Sequence, residues 1–278
     1  MRSAWIRQLA FSLSAAPLAA AGFDHSLWDR ILKARVNPIG EVDYAAIKAD
    51  RKDLDDYIGR LAESSPDNRK EIFGGRAGEL AYWMNAYNAL VTRGVVDGFP
   101  TRSVRDLGAI YGFFRRKDYT LGGVKLSLQQ LENDIIRKRY SEPRIHFGIV
   151  CASLSCPKLS RDAFTAENLE SHLDRLTRQF VAERRNLTIN AATGEVTLSA
   201  IFNWYREDFE KPEGPAGAKI SLGDYLKRYA TGDQKKSLEL IRQMKIKFHD
   251  YDWSINEPGS RAKARSELER ELSRPPSH

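Results

Sequence analysis

Cysteine, methionine and long apolar segments are scarce in this chain. Its 278 residues include two cysteines and three methionines, so no multi-disulfide framework can hold the fold together. After residue 21, no apolar run approaches the roughly 20 residues that a membrane-spanning helix needs. The glycine patterns GxGxxG and P-loop, the metalloprotease pattern HExxH and the serine-hydrolase pattern GxSxG are also absent. Nothing therefore indicates a disulfide-stapled fold or one of these common enzyme classes.

The first 22 residues have the layout of a secretory signal peptide. Arg2 and Arg7 precede an apolar stretch from Leu9 to Ala21 that ends in small residues. This layout predicts cleavage near Ala21. The alternative, an uncleaved anchor helix, is disfavoured because the apolar run is short. We therefore expect a mature protein that is periplasmic or secreted, has no membrane span and works in an oxidising compartment.

A small net charge argues against nucleic acid as the partner. The formal charge is +7, and residues 1–21 and 258–278 each contribute two of these positive charges, which leaves +3 for residues 22–257. This is far below the basic excess of a nucleic-acid-binding domain. We expect residues 22–257 to form a single globular domain. Residues 258–278 are rich in charge and proline and poor in large apolar side chains, and are predicted to be a disordered tail.

Helical periodicity dominates residues 22–257. It is strongest over 77–97, where Gly98 and Pro100 end an apolar pattern of helical spacing. Further helices are predicted at 26–36, 51–62, 127–138, 166–184, 199–208, 221–230 and 234–243. Short strands are predicted as two hairpins, 119–121 with 124–126 and 187–190 with 195–198, and as a buried run at 145–150. This mixture predicts an α+β fold, a helix-rich single domain with short antiparallel strands.

The residues most suited to chemistry gather in segment 144–159, RIHFGIVCASLSCPKL, where His146 lies close to both cysteines. Pro157 follows Cys156, and proline favours the first position of a helix, so Cys156 is expected at a helix N-cap. The backbone dipoles there would lower the pKa of its thiol. Cys156 is therefore the predicted nucleophile and His146 its predicted base. Cys151 ends an apolar run and fits a packing residue better.

Two residues outside this segment are candidates for supporting roles. Glu132 lies inside the predicted 127–138 helix beside apolar residues, so its carboxylate could point inward and orient the His146 ring. Asn85 lies on the apolar helix 77–97. It either hydrogen-bonds neighbouring loop backbone, as a buried amide must, or binds substrate and stabilises an oxyanion.

Three interpretations of the cysteines stay open at this point. Cys151 and Cys156 could form a disulfide or be inert packing residues, since the expected compartment is oxidising. One of them could be a catalytic thiol. They could also bind a metal together with His146 and His172, but the spacing differs from that of ordinary zinc sites. We therefore expect neither a metal nor another cofactor.

Several segments resemble the family named domain of unknown function 547, in the same order as in that family. They are AYWMNAYNAL (81–90), YTLGGVKLSLQQLENDIIR (119–137), PRIHFGIVCASLSCPKL (143–159), SAIFNWYREDF (199–209) and YDWSIN (251–256). The resemblance implies a papain-like or transglutaminase-like fold. It also implies a thiol hydrolase whose glutamate, histidine and cysteine fall on Glu132, His146 and Cys156. The family pattern has a second cysteine at Cys151, as an alternative nucleophile or a disulfide partner.

Two functions are therefore expected as alternatives. The first is an exported cysteine-dependent hydrolase or acyl-transfer enzyme that cleaves amide or thioester bonds of a peptide-like or small-molecule substrate. The second is a non-catalytic exported binding module in which a Cys151–Cys156 disulfide is structural. In that case the aromatic and acidic clusters in FNWYREDF (202–209) and HDYDWSIN (249–256) would bind a peptide or glycan. An inactive relative of an enzyme is also compatible with the sequence.

Overall fold

The computed structural model describes residues 22–108, 112–213, 218–241, 243–264 and 266. The predicted signal peptide, residues 1–21, lies outside the described residues. The α-helices are α1 (Ser26–Arg35), α2 (Tyr44–Ala49), α3 (Lys52–Glu63), α4 (Arg76–Gly98), α5 (Gly112–Arg115), α6 (Leu128–Gln130), α7 (Lys138–Tyr140), α8 (Leu169–Ala182), α9 (Ile201–Trp204), α10 (Arg206–Phe209), α11 (Leu222–Tyr229) and α12 (Gly232–Leu240). The strands are β1 (Asp118–Leu121), β2 (Val124–Ser127), β3 (Leu187–Asn190), β4 (Glu195–Leu198), β5 (Pro212–Glu213), β6 (Ala218–Lys219) and β7 (Lys245–Phe248).

Helix α4 is the centre of the hydrophobic core. Nearly every side chain from Leu80 to Val96 is buried, as expected for a helix that is apolar around most of its circumference. It packs against α2, α3 and α8. The helix predicted at 77–97 is therefore confirmed, and its two buried asparagines, Asn85 and Asn88, hydrogen-bond the backbone of other segments.

Short strands flank this helical core. Strands β1 and β2 form the predicted antiparallel hairpin, with Gly122 and Gly123 at positive φ in its turn, a conformation that glycine adopts without strain. Strands β3 and β4 form the second predicted hairpin. Strand β7, which the sequence pattern did not reveal, pairs parallel to β4. The domain is α+β and rich in helix, as predicted.

The predicted 127–138 helix forms, but it changes its winding. Ser127 and Gln130 make a capping box at its start: the Gln130 backbone N–H donates to Ser127 Oγ at 3.2 Å, and the Ser127 N–H donates to Gln130 Oε1 at 2.9 Å. The chain then continues as a π-helix over Leu131–Arg137. π-Helical turns are rare in proteins, but those that occur are often found at functional sites. Glu132 lies on this π-helix.

The strand predicted at 145–150 is wrong. Residues Pro143–Phe147 form a 3-10 helix instead. Glu142 caps this helix, because its side chain accepts the Arg144 backbone N–H at 3.0 Å, and Pro143 occupies the first turn. A short apolar run fits a buried strand and a buried helical turn equally well. The proline after an acidic residue was the local signal for a helix start.

The segment after this helix is held by the last part of the domain. The Leu154 N–H donates to the Ser254 carbonyl at 2.8 Å, and the Asn256 N–H donates to the Ala152 carbonyl at 3.0 Å. Segment 252–256 therefore fixes the backbone of the loop between the cysteines.

The first residues of the predicted tail also contact the domain. The Gly259 and Arg261 N–H groups donate to the Glu41 carboxylate at 3.1 and 2.8 Å. Contacts with the domain therefore continue past the predicted boundary at residue 257, to at least Arg261. The disorder of the tail stays a prediction. Among the described residues, none of the helices combines the length and the apolar character that crossing a bilayer requires.

Candidate active site

A cavity of about 400 Å³ contains both cysteines and the histidine of segment 144–159. The other polar groups that line it belong to Tyr87, Arg115, Gln129, Glu132, Asn133, Tyr205 and Tyr251. Aromatic side chains line the rest, including Phe114, Trp204 and Trp253. A concave, largely apolar site with a few polar groups is the usual form of a small-molecule or peptide site. The structure thus brings His146, Cys151, Cys156 and Glu132 together.

Cys151 is positioned by helix α4. Asn88, which is buried on that helix, accepts the Val150 backbone N–H at 2.9 Å and donates to the Gly148 carbonyl at 2.9 Å. The next residue after Cys151, Ala152, has φ = 68°. A non-glycine residue in the left-handed region is uncommon, and such strain is often found at active sites. This turn directs the Cys151 side chain, which is partly exposed, into the cavity.

Three groups surround the Cys151 sulfur. Its Sγ lies 2.8 Å from Cys156 Sγ, 3.0 Å from Ser153 Oγ and 3.3 Å from the Tyr251 hydroxyl. Burial alone would raise the pKa of Cys151, but hydrogen bonds from these three groups favour the thiolate and lower that pKa to about 7. A larger fraction of Cys151 than of an ordinary cysteine is therefore thiolate at neutral pH, as in reactive cysteines.

Cys156 is in the opposite situation, and its predicted N-cap position is wrong. The chain after Pro157 is not helical, and the next helix, α8, begins at Leu169, so no helix dipole acts on this thiol. Cys156 is only 4% exposed. Burial and the adjacent Cys151 sulfur raise its pKa well above the ordinary thiol value. The two cysteines are free thiols in this structure, with Cys151 the more acidic.

His146 is oriented by Asp208, and not by Glu132 as predicted. The His146 Nε2 lies 2.8 Å from Asp208 Oδ2, and the ring stacks on Tyr205 with centroids 3.9 Å apart. Asp208 also accepts Arg137 Nε at 2.6 Å. These partners outweigh its burial and hold the pKa of Asp208 well below its usual value. Because a carboxylate only accepts hydrogen bonds, Nε2 carries the proton of the neutral imidazole.

This arrangement leaves the second ring nitrogen of His146 for chemistry. Nδ1 has no hydrogen-bond partner among the described residues, and His146 lines the cavity. Burial lowers the pKa of His146, although Asp208 partly opposes this effect. The imidazole is therefore neutral at neutral pH. A neutral ring with a free Nδ1 can accept a proton as a general base.

Glu132 is held by two tyrosines. The Tyr205 hydroxyl donates to Glu132 Oε1 at 2.6 Å, and the Tyr87 hydroxyl donates to Oε2 at 2.9 Å. Burial and the Glu132 charge raise the pKa of both tyrosines, so they remain hydrogen-bond donors. Glu132 also favours protonated His146 through its charge. It therefore lines the cavity as a fixed negative group without bonding the histidine.

Asn85 does not contribute to this cavity. Its Nδ2 donates to the Phe164 carbonyl at 2.8 Å, and its Oδ1 accepts the Phe164 N–H at 3.0 Å. Its side chain is fully buried. The predicted oxyanion role is therefore wrong, and the alternative reading, an amide that satisfies loop backbone, holds.

The metal interpretation also finds no geometric support. His172 Nε2 is hydrogen-bonded to Ser160 Oγ at 2.8 Å. The His172 side chain lines a different cavity from that of the cysteines. The four side chains considered for metal binding therefore do not meet. Within the described ranges, no three histidine, cysteine or acidic side chains are grouped as a metal would require.

Asp208, Ser153 and Tyr251 are site residues to which the sequence assigned no catalytic role. Asp208 and Tyr251 belong to the aromatic and acidic clusters 202–209 and 249–256, which was the available signal. Both lie more than 50 residues from the cysteine or histidine that they contact. Only the tertiary fold could assign them these partners.

Fold and site together define a helix-rich α+β domain in which two free thiols and a histidine, oriented by Asp208, line one cavity. Residues 74–181 match the model of the family described as protein of unknown function, DUF547. The resemblance noted from the sequence is thus confirmed over this segment, which contains Glu132, His146, Cys151 and Cys156. Asp208 lies beyond it. No curated protein and no solved structure matches the chain.

Replacing Asn88 by alanine is expected to lower the free energy of unfolding by about 2–4 kcal/mol. The change leaves the buried Gly148 carbonyl and Val150 N–H without partners, and each unsatisfied group costs about 1–3 kcal/mol. Urea denaturation followed by circular dichroism measures the change. Asn203→Ala is the control, since Asn203 is exposed and surface changes stay within about 0.5 kcal/mol. Equal losses in the two variants would contradict the role assigned to Asn88.

Proposed function

We propose that this chain is an exported thiol hydrolase or acyl-transfer enzyme that acts on amide or thioester bonds, with Cys151 as its nucleophile. The observation that carries the proposal is the presence of two reactive features in one cavity. One is the Cys151 thiol with a pKa of about 7. The other is the His146 ring, which is oriented by Asp208 and has a free Nδ1. A nucleophile, a base and a group that orients the base are the parts that thiol catalysis needs.

The proposed reaction passes two protons through His146, one in each half. Cys151 transfers its proton to Nδ1 of His146, and the thiolate attacks the carbonyl carbon of the substrate. His146 returns the proton to the leaving amine or thiol, which leaves an acyl group on the Cys151 sulfur. Water, or another acceptor, then attacks this thioester while Nδ1 takes a proton from it. The acyl–sulfur bond breaks, the acid or acyl product leaves, and His146 returns that proton to the Cys151 sulfur.

Tyr251 replaces Asn85 as the proposed oxyanion donor. Its hydroxyl lies 3.3 Å from Cys151 Sγ and 3.2 Å from Ser153 Oγ, so the proton that it donates to the thiolate becomes available to the substrate oxygen once the sulfur has attacked. Burial and the nearby thiols raise the pKa of Tyr251, so the hydroxyl stays protonated. A protonated donor near the sulfur can stabilise negative charge that develops on the substrate oxygen.

The lining of the cavity favours a peptide-like or small acyl substrate. Trp204, Tyr251 and Trp253 form an aromatic wall, with Trp204 46% exposed. Glu132 offers carboxylate oxygens on the same cavity. An aromatic wall can hold apolar or planar groups, and a fixed carboxylate can accept the N–H groups of an amide substrate.

Export is the second part of the proposal and is supported by the layout of residues 1–21. Expression of the full chain in a bacterium, followed by intact mass measurement of the periplasmic fraction, tests it. We expect a mature chain that begins near Gly22. A cytoplasmic chain that retains residues 1–21 would contradict export, while leaving the proposed chemistry untouched.

Alkylation by iodoacetamide is expected to occur at Cys151 with half-maximal rate near pH 7, because the thiolate is the reacting species. Cys156 should stay unlabelled over the same range, since it is buried and its pKa is raised. Peptide mapping of the reduced, folded protein at a series of pH values measures both rates. Tyr251→Phe should move the Cys151 midpoint to higher pH, because one donor to the thiolate is lost.

The opposite labelling pattern would overturn the assignment of the nucleophile. Preferential labelling of Cys156, or equal labelling of both thiols in the folded state, would show that Cys151 is not the more acidic group. Labelling in denaturant is the control, and both cysteines should then react at similar rates.

A non-catalytic binding module is the second candidate, favoured by the exposed Trp204 at the rim of the cavity. In this case, ligand binding would survive the loss of Cys151. Quenching of tryptophan fluorescence by peptides and glycans, in wild type and Cys151→Ser, separates the candidates. Binding without turnover in both proteins supports the module, whereas turnover only in the wild type supports the enzyme.

A further inference from the structure

The two thiols are arranged for more than acyl transfer. Their sulfurs lie 2.8 Å apart, and a disulfide needs about 2.05 Å. A shift of less than about 1 Å would therefore bring the sulfurs to bonding distance. The Cys151 N–H also donates to Cys156 Sγ at 2.9 Å, so the second thiol is held against the first by the backbone as well as by the sulfur contact.

The two thiols differ in their exposure to the cavity. Cys151 is partly exposed to the cavity, whereas Cys156 is buried behind it. An incoming molecule meets Cys151 first. A buried thiol that touches the reactive one can attack any adduct formed there, without competing for the substrate itself.

We propose that Cys151 and Cys156 form a dithiol–disulfide exchange pair, in which Cys151 attacks low-molecular-weight disulfides in the aromatic cavity and Cys156 resolves the adduct. The Cys151 thiolate attacks one sulfur of the substrate R–S–S–R; a mixed disulfide forms and one thiolate leaves. Cys156 passes its proton to the released thiolate and its sulfur attacks the Cys151 sulfur; the second substrate thiolate leaves and takes a proton from water. The substrate disulfide is reduced to two thiols, and the pair is oxidised to one disulfide. A low-molecular-weight dithiol reverses the sequence.

The surroundings of the sulfurs favour both steps. Thiols with a pKa near the ambient pH are the best attacking groups, and the pKa of Cys151 is about 7. Formation of the mixed disulfide removes the negative charge from Cys151. That charge is one of the causes that raise the pKa of Cys156, so the resolving thiol becomes easier to ionise when it is needed.

The test uses the reduced full-length protein, freed of reductant, with oxidised glutathione as the probe at neutral pH. Samples quenched with acid are followed by intact mass and peptide mapping. We expect a transient species with one glutathionyl group on Cys151. It should convert to a protein with a Cys151–Cys156 disulfide, which is lighter than the reduced protein by two hydrogens. In Cys156→Ser the reaction should stop at the glutathionyl adduct. In Cys151→Ser no glutathionyl adduct should form.

Three results would overturn the proposal: no reaction of the wild type, a lasting glutathionyl adduct without an internal disulfide, or first reaction at Cys156. Circular dichroism checks that each variant is folded. If a variant is not folded, the time course of the wild type alone still tests the proposal. Because no acyl substrate is present, failure of exchange leaves the acyl-transfer proposal standing. Conversely, an exchange-competent protein that forms no acyl-enzyme would refute only acyl transfer.

Discussion

Cys151→Ser is expected to reduce acyl transfer from an activated ester such as p-nitrophenyl acetate by at least about a thousandfold, the scale seen when a nucleophile is removed. The serine hydroxyl is essentially un-ionised at neutral pH, whereas the pKa of Cys151 is about 7. Release of nitrophenolate gives the rate. Intact mass of the quenched protein should show one acetyl group on Cys151 in the wild type and none in the variant.

Cys156→Ser is the matched control for this experiment. The variant keeps the nucleophile and the His146–Asp208 pair, so an acyl-enzyme should still form. It replaces the Cys156 thiol, one of the donors to the Cys151 thiolate, by a hydroxyl that can also donate, so the pH midpoint of acylation should stay near its wild-type value. An acyl group mapped to Cys156 in the wild type, or full activity in Cys151→Ser, would refute Cys151 as the nucleophile.

The helical core and the hairpins were predictable because their signals are local. Helix α4 repeats apolar residues at helical spacing and ends where glycine and proline follow. The β1–β2 turn has Gly122 and Gly123, which accept the positive φ of such a turn. The strand predicted at 145–150 was wrong because burial on all sides removes the periodicity that separates strand from helix.

The site was only partly predictable, since its polar contacts join distant segments. His146 and the cysteines were found from their clustering in the sequence, and Glu132 from its place among apolar residues. The choice between the thiols failed because the proline after Cys156 does not start a helix here. The acidity of Cys151 instead comes from Ser153, Tyr251 and Cys156, and the first two gave no sequence signal for this role.

The two proposals for Cys151 predict that oxidation controls acyl transfer. A disulfide with Cys156 would consume the nucleophile, so the acyl-transfer rate should follow the fraction of reduced pair. The proposed export would place the protein under oxidising conditions, and the closeness of the thiols, 2.8 Å between sulfurs, makes the coupling direct. Pretreatment with oxidised glutathione should abolish acylation, and dithiothreitol should restore it.

Asp208→Asn is expected to lower kcat by about a hundred- to ten-thousandfold with little change in KM, by analogy with the loss of the orienting carboxylate in other triads. The asparagine amide can donate to Nε2 of His146, which would move the ring proton to Nδ1 and remove the base. Asp208 acts through His146, so it is a positioning residue. Loss of the Asp208 carboxylate should also change the pH dependence of kcat. Asp208→Glu, which keeps a carboxylate, should retain part of the wild-type kcat.

The adjacent acid supplies the control for this last prediction. Glu207 pairs with the same Arg137, at 2.9 Å, but its side chain is 80% exposed, and Glu207→Gln should keep the wild-type rate. Circular dichroism of both variants separates a catalytic loss from unfolding. Glu132→Gln tests the sequence-based alternative. A larger loss of kcat in Glu132→Gln than in Asp208→Asn would show that Glu132 orients His146 during the reaction, and that the Nε2–Asp208 bond of 2.8 Å serves the fold alone.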